Sequence, residues 1–412
     1  MRAKRLIVAG GGAAGFFAAI TCSEANPSMG VTLLEKGPRF LSKVRISGGG
    51  RCNVTHACFE PKALSERYPR GARELIGPFH RFHARETVAW FEGRGVKLKT
   101  ENDGRMFPVT DSSQTVIDCL LQAASRCGIE MLCNTGVEQI SKSVNGEFEV
   151  MTSNGKRLQC DLVLLATGGC RVPAACQLAT SLGHSLVAPV PSLFTFHIES
   201  DFLQDLAGIS VGEVECTIPD TSLRERGALL VAHWGLSGPV ILRLSAWGAR
   251  ILHDANYQFP LQVNWVPNLG RERVVTEFSN RRQNQPAKLV VNLPLAPLPG
   301  RLWEHLVTAA GIDRQTRWAV LSRNAQHRLI EILQRTELRV SGKSLNKDEF
   351  VTCGGIPLKE VNLKTMESRL CPGLYLAGEI VDIDGITGGF NFQAAWTTGW
   401  IAGQAIAMAA PE

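Results

Sequence analysis

No run of eighteen or more apolar residues occurs in this 412-residue chain, which excludes a membrane-spanning helix. There is no Cys-x-x-Cys pair, and the 12 cysteines are scattered without the framework of a small disulfide-stapled secreted domain. Reduced thiols in a cytoplasmic protein are the expectation. Cys52, His56 and Cys58 could form half of a zinc site, but no second ligand pair stands at a matching spacing, so no metal is expected. Low-complexity tracts and fixed-period repeats are also missing. The basic start MRAKR, followed by an apolar run, could pass for a secretory signal. The glycine cluster inside that run has a better explanation.

What is present fits a globular protein: 44% hydrophobic and 20% charged residues, in a length suited to two or three domains. The formal charge of +6 is uneven. Residues 268–347 hold 14 Lys and Arg against 6 Asp and Glu. Such a basic segment suits either a solvated helical surface or a polyanionic partner.

RLIVAG at 5–10 reads as a short buried strand, GGGAAGFFAAITCSEA as a glycine turn opening a helix, and VTLLEKG at 31–37 as a second strand ending in an acid. Gly10, Gly12 and Gly15 supply G-x-G-x-x-G in a βαβ unit, with Glu35 placed to accept hydrogen bonds from ribose hydroxyls. The helix N-terminus would face a pyrophosphate. Further on, GVKLKTENDGRMFP reads as a hairpin turning at Asn102, Asp103 and Gly104, and DLVLLATGG as a strand ending in small residues. Short alternating pieces from Phe194 to Val266 suggest an antiparallel sheet or barrel. A helical stretch to Leu333 follows, with arginines at its polar positions. GLYLAGEIVD and a helix opening near Asn391 return the chain to α/β.

The fingerprint alone does not separate NAD from FAD. A strand, loop and helix returning to the ligand at the far end of the chain favour the longer cofactor, FAD. A helix starting near Asn391 would aim its N–H groups at the flavin's pyrimidine side. SGGGRCN at 47–53, three glycines running into Arg51, Cys52 and Asn53, calls for backbone lying close against something.

GGGAAGFFAAI, LLEKGPRFLSKVRISGGGRCNVTH, ENDGRMFPVTD, LLATGG, HWGLSGPVILRLS and GEIVDIDGITGGFNFQAAWTTGWIAG together resemble the BaiN/RdsA-type family of NAD(P)/FAD-dependent flavoproteins, also labelled the aminoacetone oxidase family. The resemblance spans nearly the whole chain. It implies an α/β fold: a discontinuous glutathione-reductase-type FAD-binding Rossmann domain with an inserted β-barrel-like domain and a helical insert. The expected segments are 1–193 for the first part of the FAD domain, 194–266 for the β-rich insert and 267–335 for the basic helical insert. Residues 336–358 would return strands to the β-rich insert, and 359–412 would complete the FAD domain.

The cofactor site is then expected from Gly10, Gly12, Ala13, Ala14, Gly15, Glu35 and Lys36 at the first βαβ unit. Gly49, Gly50, Arg51, Cys52 and Asn53 would carry the edge of the flavin site. Val137, Ala166, Thr167, Gly168, Gly378, Glu379, Asp382, Gly388, Gly389, Asn391 and Phe392 would complete it. One departure stands out: GCRVPAACQLATSLGH, after ATGG, is shorter than in the family and lacks its Gly-Asp-Gly element. Ala232 also replaces a common Thr.

The resemblance implies an FAD-dependent oxidoreductase drawing electrons from NAD(P)H to reduce a conjugated C=C bond, with a small molecule or a nucleobase as substrate. Uridine in ribosomal RNA is one such substrate, with Arg281, Arg282, Arg323 and Arg328 as candidate RNA contacts. Cys52 is the candidate proton donor and His233 its alternative. Two other readings stand beside it: a flavin oxidase of a small amine, and a non-catalytic RNA-binding flavoprotein. A disulfide reductase is disfavoured, because neither a second G-x-G-x-x-G nor a Cys-x-x-x-x-Cys after the first helix is present. For the same reason NAD(P)H is expected as a transient reductant without its own domain.

Overall fold

The computed structural model describes residues 4–170, 173–344 and 351–409. The chain divides into two compact units, one of residues 1–190 and 351–412, the other of residues 191–350.

The first unit is built on a seven-stranded sheet. Its parallel part runs in the spatial order Leu374–Leu376, Leu162–Leu165, Arg5–Ala9, Gly30–Leu34 and Glu130–Leu132. These strands are almost continuously apolar, as strands buried on both faces are. Register matters most for the site. Ala9 is level with Leu165 and with Leu34, and Leu165 with Leu376. The residues that follow, Gly10, Ala166, Glu35 and Ala377, therefore emerge at one edge of the sheet. This is where open α/β sheets bind ligands.

Behind that edge, the fingerprint helix Ala13–Ala25 packs on the C-terminal helix Phe390–Met408. The approach is backbone to backbone. A Cβ on Gly399 would lie 2.6 Å from the Ala14 carbonyl oxygen, and one on Gly403 would lie 2.5 Å from that of Ala18. Two small sheets complete the unit. Thr55–His56 pairs with Arg105–Pro108, which pairs with Leu98–Thr100, so the expected hairpin forms around Asn102–Gly104. Val137–Lys142, Phe148–Thr152 and Arg157–Cys160 make a three-stranded meander.

The second unit holds another seven-stranded sheet, all antiparallel, formed by Phe196–His197, Ser210–Thr217, Arg224–Ala232, Gly235–Ser237, Phe259–Asn264, Thr336–Val340 and Gly342–Lys343. Helix Arg323–Gln334 packs against it, and helices Arg271–Asn284 and Gly300–Ala309 pack on that helix. Two of the expected boundaries are corrected here. A separate helical insert at 267–335 does not form, since one apolar core runs from Phe196 and Val214 of the sheet to Trp303, Trp318 and Leu329 of the helical part. VTCGG does not return to the insert's sheet either: Val351–Gly355 pairs with Val187–Ser192 in a two-stranded sheet of its own.

Candidate functional site

The fingerprint turn is tight for a steric reason. Gly10 has φ +115°, and a Cβ on Gly15 would lie 2.0 Å from the Gly10 carbonyl oxygen. Glu35 locks the turn from the neighbouring strand. Its carboxylate accepts from the Gly11 N–H at 2.9 Å and the Gly37 N–H at 2.7 Å. A carboxylate has about four acceptor positions, so capacity remains for ribose hydroxyls. The Thr135 N–H donates to the Glu35 carbonyl at 2.8 Å, which brings Val137 to the same end. Gly136 lies against Lys36, 3.0 Å from its Cβ to a Cβ built on the glycine.

SGGGRCN turns sharply away from the helix that begins at Ser42. Gly48, Gly49, Gly50 and Cys52 have φ of 56°, 69°, 84° and 62°. Such a left-handed run is accessible to glycine at little cost and strained at Cys52. Arg51 leaves the loop to pair with Glu101 at 2.6 Å and lies 4.0 Å over the Phe107 ring. Cys52 turns inward and is fully buried.

Asn53 connects this loop to the C-terminal helix. Oriented to satisfy its neighbours, its carboxamide donates to the Thr55 carbonyl and accepts from the Gly389 N–H, both at 3.0 Å. Asn391 is used locally too: Oδ1 accepts from the Gly385 N–H and Nδ2 donates to the Gly385 carbonyl. Behind both, a buried amide ties the segments together. Gln393 Oε1 accepts from Thr55 Oγ1 at 2.6 Å and Thr87 Oγ1 at 3.0 Å, and Nε2 donates to Thr397 at 3.1 Å. The Trp396 indole donates to the Val54 carbonyl. Gln393 and Trp396 are site-building residues that local sequence pattern gave no means of finding, because Thr55, Thr87 and Val54 lie more than 300 positions away.

Glu379 accepts from the Thr352 N–H at 2.8 Å and pairs with Lys43 at 2.7 Å. Gly378 rests on the fingerprint helix, where a Cβ would come within 2.9 Å of Ala14. Thr167 and Gly168 follow the strand end, half-buried, and the Asp382 N–H donates to Ile356. Gly388 and Gly389 have φ of 131° and 94° and form the turn into the helix that Phe390, Asn391 and Phe392 begin.

These residues fit a dinucleotide flavin. A Cβ built on Gly12, Gly49, Gly50 or Gly168 would meet no protein atom within 4 Å, so four glycines from three segments leave open approaches. Two helices, Ala13–Ala25 and Phe390–Met408, contribute N-termini from the same unit, with N–H groups and partial positive charge for anionic or carbonyl groups.

Several expected roles are corrected. Burial pushes the Cys52 thiol up to about 12, so it is a weak acid at neutral pH and poorly suited to protonate a substrate. His233 is exposed, in the second unit, at the turn between Arg224–Ala232 and Gly235–Ser237. Arg281 and Arg282 do not present free guanidiniums. Arg281 donates to the Leu293 and Pro294 carbonyls and pairs with Glu277, while Arg282 donates to those of Trp318 and Leu321. Arg328 is exposed, but its Nε donates to the Ala310 carbonyl at 2.8 Å. Arg323, at the first position of its helix, is exposed. Cys170 and Cys176, expected as reduced thiols, are joined in a disulfide. They flank the shortened loop after ATGG, of which residues 171 and 172 lie outside the described residues.

Comparison with known proteins agrees with this geometry. Residues 4–405 match the model of the HI0933-like protein Rossmann domain. The chain is 29% identical over 407 residues to a ribosomal RNA dihydrouridine synthase of Escherichia coli strain K12, covering 97% of this chain and 96% of that one. It is 27% identical over 412 residues to a 3-dehydro-bile acid delta(4,6)-reductase of Clostridium scindens, covering 98% and 99%. Among solved structures, a 3-ketosteroid delta1-dehydrogenase from Sterolibacterium denitrificans is similar with a TM-score of 0.52 at 12% identity, covering 99% of this chain and 100% of that one. The 3-ketosteroid-delta4-(5alpha)-dehydrogenase from Rhodococcus jostii RHA1 is similar at 0.50 and 13%, covering 98% and 97%. At such identities these two show the fold alone. The family match over nearly the whole length, with the glycine cradle and both helix N-termini in place, identifies the chain as a member of the HI0933-like Rossmann-domain family of FAD-binding oxidoreductases.

Proposed function

We propose that this oxidoreductase uses NAD(P)H to reduce a C=C bond conjugated with a carbonyl, and that the bond is the 5,6 double bond of a uridine in ribosomal RNA. The observation that carries the reading is the pair of full-length relatives. One is named for making dihydrouridine and the other for reducing the delta(4,6) system of a 3-dehydro-bile acid. Both reactions add hydrogen across an unsaturated bond in conjugation with a carbonyl.

Bound FAD would supply the hydride. The chain's own residues do the rest. Gly10 to Gly15 and Glu35 would hold the dinucleotide, Gly49 and Gly50 leave an open, exposed shelf, and the N-terminus of the C-terminal helix would offer N–H groups and partial positive charge to its pyrimidine end. Cys52, buried and weakly acidic, is not the proton donor in this reading. A polyanionic substrate would be held by exposed cations of the second unit, among them Arg323, Lys288 and Arg317, rather than by Arg281 and Arg282.

Mass spectrometry of ribosomal RNA from cells with and without the gene tests this reading. It expects one uridine lighter by two daltons in the deletion strain, restored by the wild-type gene. Identical spectra rule out the ribosomal substrate.

A further inference from the structure

Tyr68 is fully buried, and its hydroxyl donates to the Phe390 carbonyl oxygen at 2.6 Å. Phe390 is the first residue of the C-terminal helix, so the hydroxyl enters that helix's first turn. The Ala394 N–H, which the helix ladder assigns to the same carbonyl, also bonds to the phenol oxygen. Burial holds the phenol pKa well above its ordinary 10, with Cys58 adding to the rise and the Ala394 N–H opposing it. The group is therefore a hydrogen-bond donor and not an anion at neutral pH.

The hydroxyl is held in place from two sides. Its ring packs on Phe79, with centroids 5.3 Å apart, and a Cβ on Gly385 would lie 3.1 Å from its Cε1. The Ile386 N–H donates to the Arg67 carbonyl at 3.0 Å, and Arg70 pairs with the fully buried Asp384. Residues 67–70 are thus fixed against 384–390, the segment that leads into the helix.

The hydrogen bond to Phe390 acts one atom further on. The Phe390 carbonyl and the Asn391 N–H belong to one delocalised peptide unit. A donor on the oxygen draws electron density toward it and leaves the N–H more positive, a strengthening of about 10–30% per bond. Helical carbonyls point toward the C-terminus, so an O–H donating to one aims its positive end at the N-terminus and adds to the macrodipole. The Asn391 N–H, in the first turn, meets no acceptor among the described residues.

We infer that Tyr68 is a positioning residue that raises the reduction potential of the bound flavin through the peptide between Phe390 and Asn391. This rests on the flavin reading, in which the helix N-terminus faces the pyrimidine side of the ring, where negative charge gathers on reduction. Tyr68 need not touch the cofactor, because it sharpens an N–H that faces it. A more positive N–H favours the reduced ring over the oxidised one, whereas a merely structural residue supports both forms alike.

The two redox forms therefore supply the test. Apoprotein is titrated with oxidised FAD and, anaerobically, with reduced FAD, and the midpoint potential of the loaded protein is measured against a reference dye. Tyr68→Phe keeps the ring and loses only the O–H. Its preference for reduced over oxidised FAD should fall about threefold, a midpoint about 14 mV more negative at about 30 mV per tenfold. Tyr68→3-fluorotyrosine, nearly the same size and more acidic, should move the midpoint the other way. Phe79→Leu loosens the packing around the ring but leaves the O–H, and should lower the melting temperature without moving the midpoint. Equal losses of both forms of FAD in Tyr68→Phe, or a midpoint that stays or rises, overturn the inference. So does a negative shift of the same size in Phe79→Leu, or an unmoved midpoint in the 3-fluorotyrosine protein. A wild-type protein that takes up no flavin contradicts the flavin reading and this role with it. A wild type that binds FAD, with variants that leave its midpoint unmoved, contradicts the role of Tyr68 alone.

Discussion

Asn391 and Gly385 are joined by two hydrogen bonds of 2.8 Å, the carboxamide of one matching the peptide N–H and carbonyl of the other. The pairing closes the loop that leads into the C-terminal helix and fixes where the helix begins. Asn391→Asp replaces the donor with an oxygen facing the Gly385 carbonyl. The expected loss is about 1–3 kcal/mol of stability, read as a lower urea midpoint, with weaker FAD binding. An unchanged midpoint would show that the pairing contributes nothing.

Gln393 joins three segments through a fully buried set of hydrogen bonds. Gln393→Leu is nearly the same size but leaves the Thr55 and Thr87 hydroxyls without their acceptor. Each orphaned group costs about 1–3 kcal/mol, so this variant should be less stable than Asn391→Asp. Adding Thr55→Val and Thr87→Val should recover much of the loss, and the size of the recovery in a double-mutant cycle checks the network.

Burial is the largest influence on His56 and holds its pKa below the ordinary 6.5. Arg67 and Arg105 push the same way, and Asp103 opposes them through its carbonyl and its charge. The folded state therefore resists the proton that the unfolded chain takes up. This contribution to stability is intact above pH 6.5 and is lost as pH falls from there toward the folded-state pKa. Unfolding free energies measured from pH 7.5 down to about 5, above the range where carboxylates titrate, should decline more steeply for wild type than for His56→Gln. Parallel profiles would count against the depressed value.

Thiol chemistry separates the paired from the free cysteines. Denatured without reductant, the chain should titrate 10 thiols, and 12 after reduction. In the native protein Cys52, buried and pushed up to about 12, should resist alkylation. Twelve thiols without reductant would mean that Cys170 and Cys176 do not pair.

The parts of the site legible in the sequence are those written within one short segment. The fingerprint, its strand and helix, and Glu35 form a local pattern with a local reason, and the turn at Gly104 is likewise a property of a few adjacent residues. What escaped reading depends on contacts between distant positions. Arginine spacing could not reveal that Arg281 and Arg282 meet the carbonyls of Leu293 and Trp318. Nor could alternation show that a β-rich and a helical stretch share one core. The run of glycines at 48–50 signalled an unusual backbone, but not that Asn53 would reach Gly389.

Reconstitution with FAD tests the central claim most directly: one flavin held by glycine segments from both ends of the chain. Calorimetric titration of apoprotein should give one FAD per chain, with Gly12→Val and Gly389→Val each weakening binding at least about a hundredfold, about 2.8 kcal/mol. Uptake of no flavin, or unchanged uptake by both variants, would contradict it.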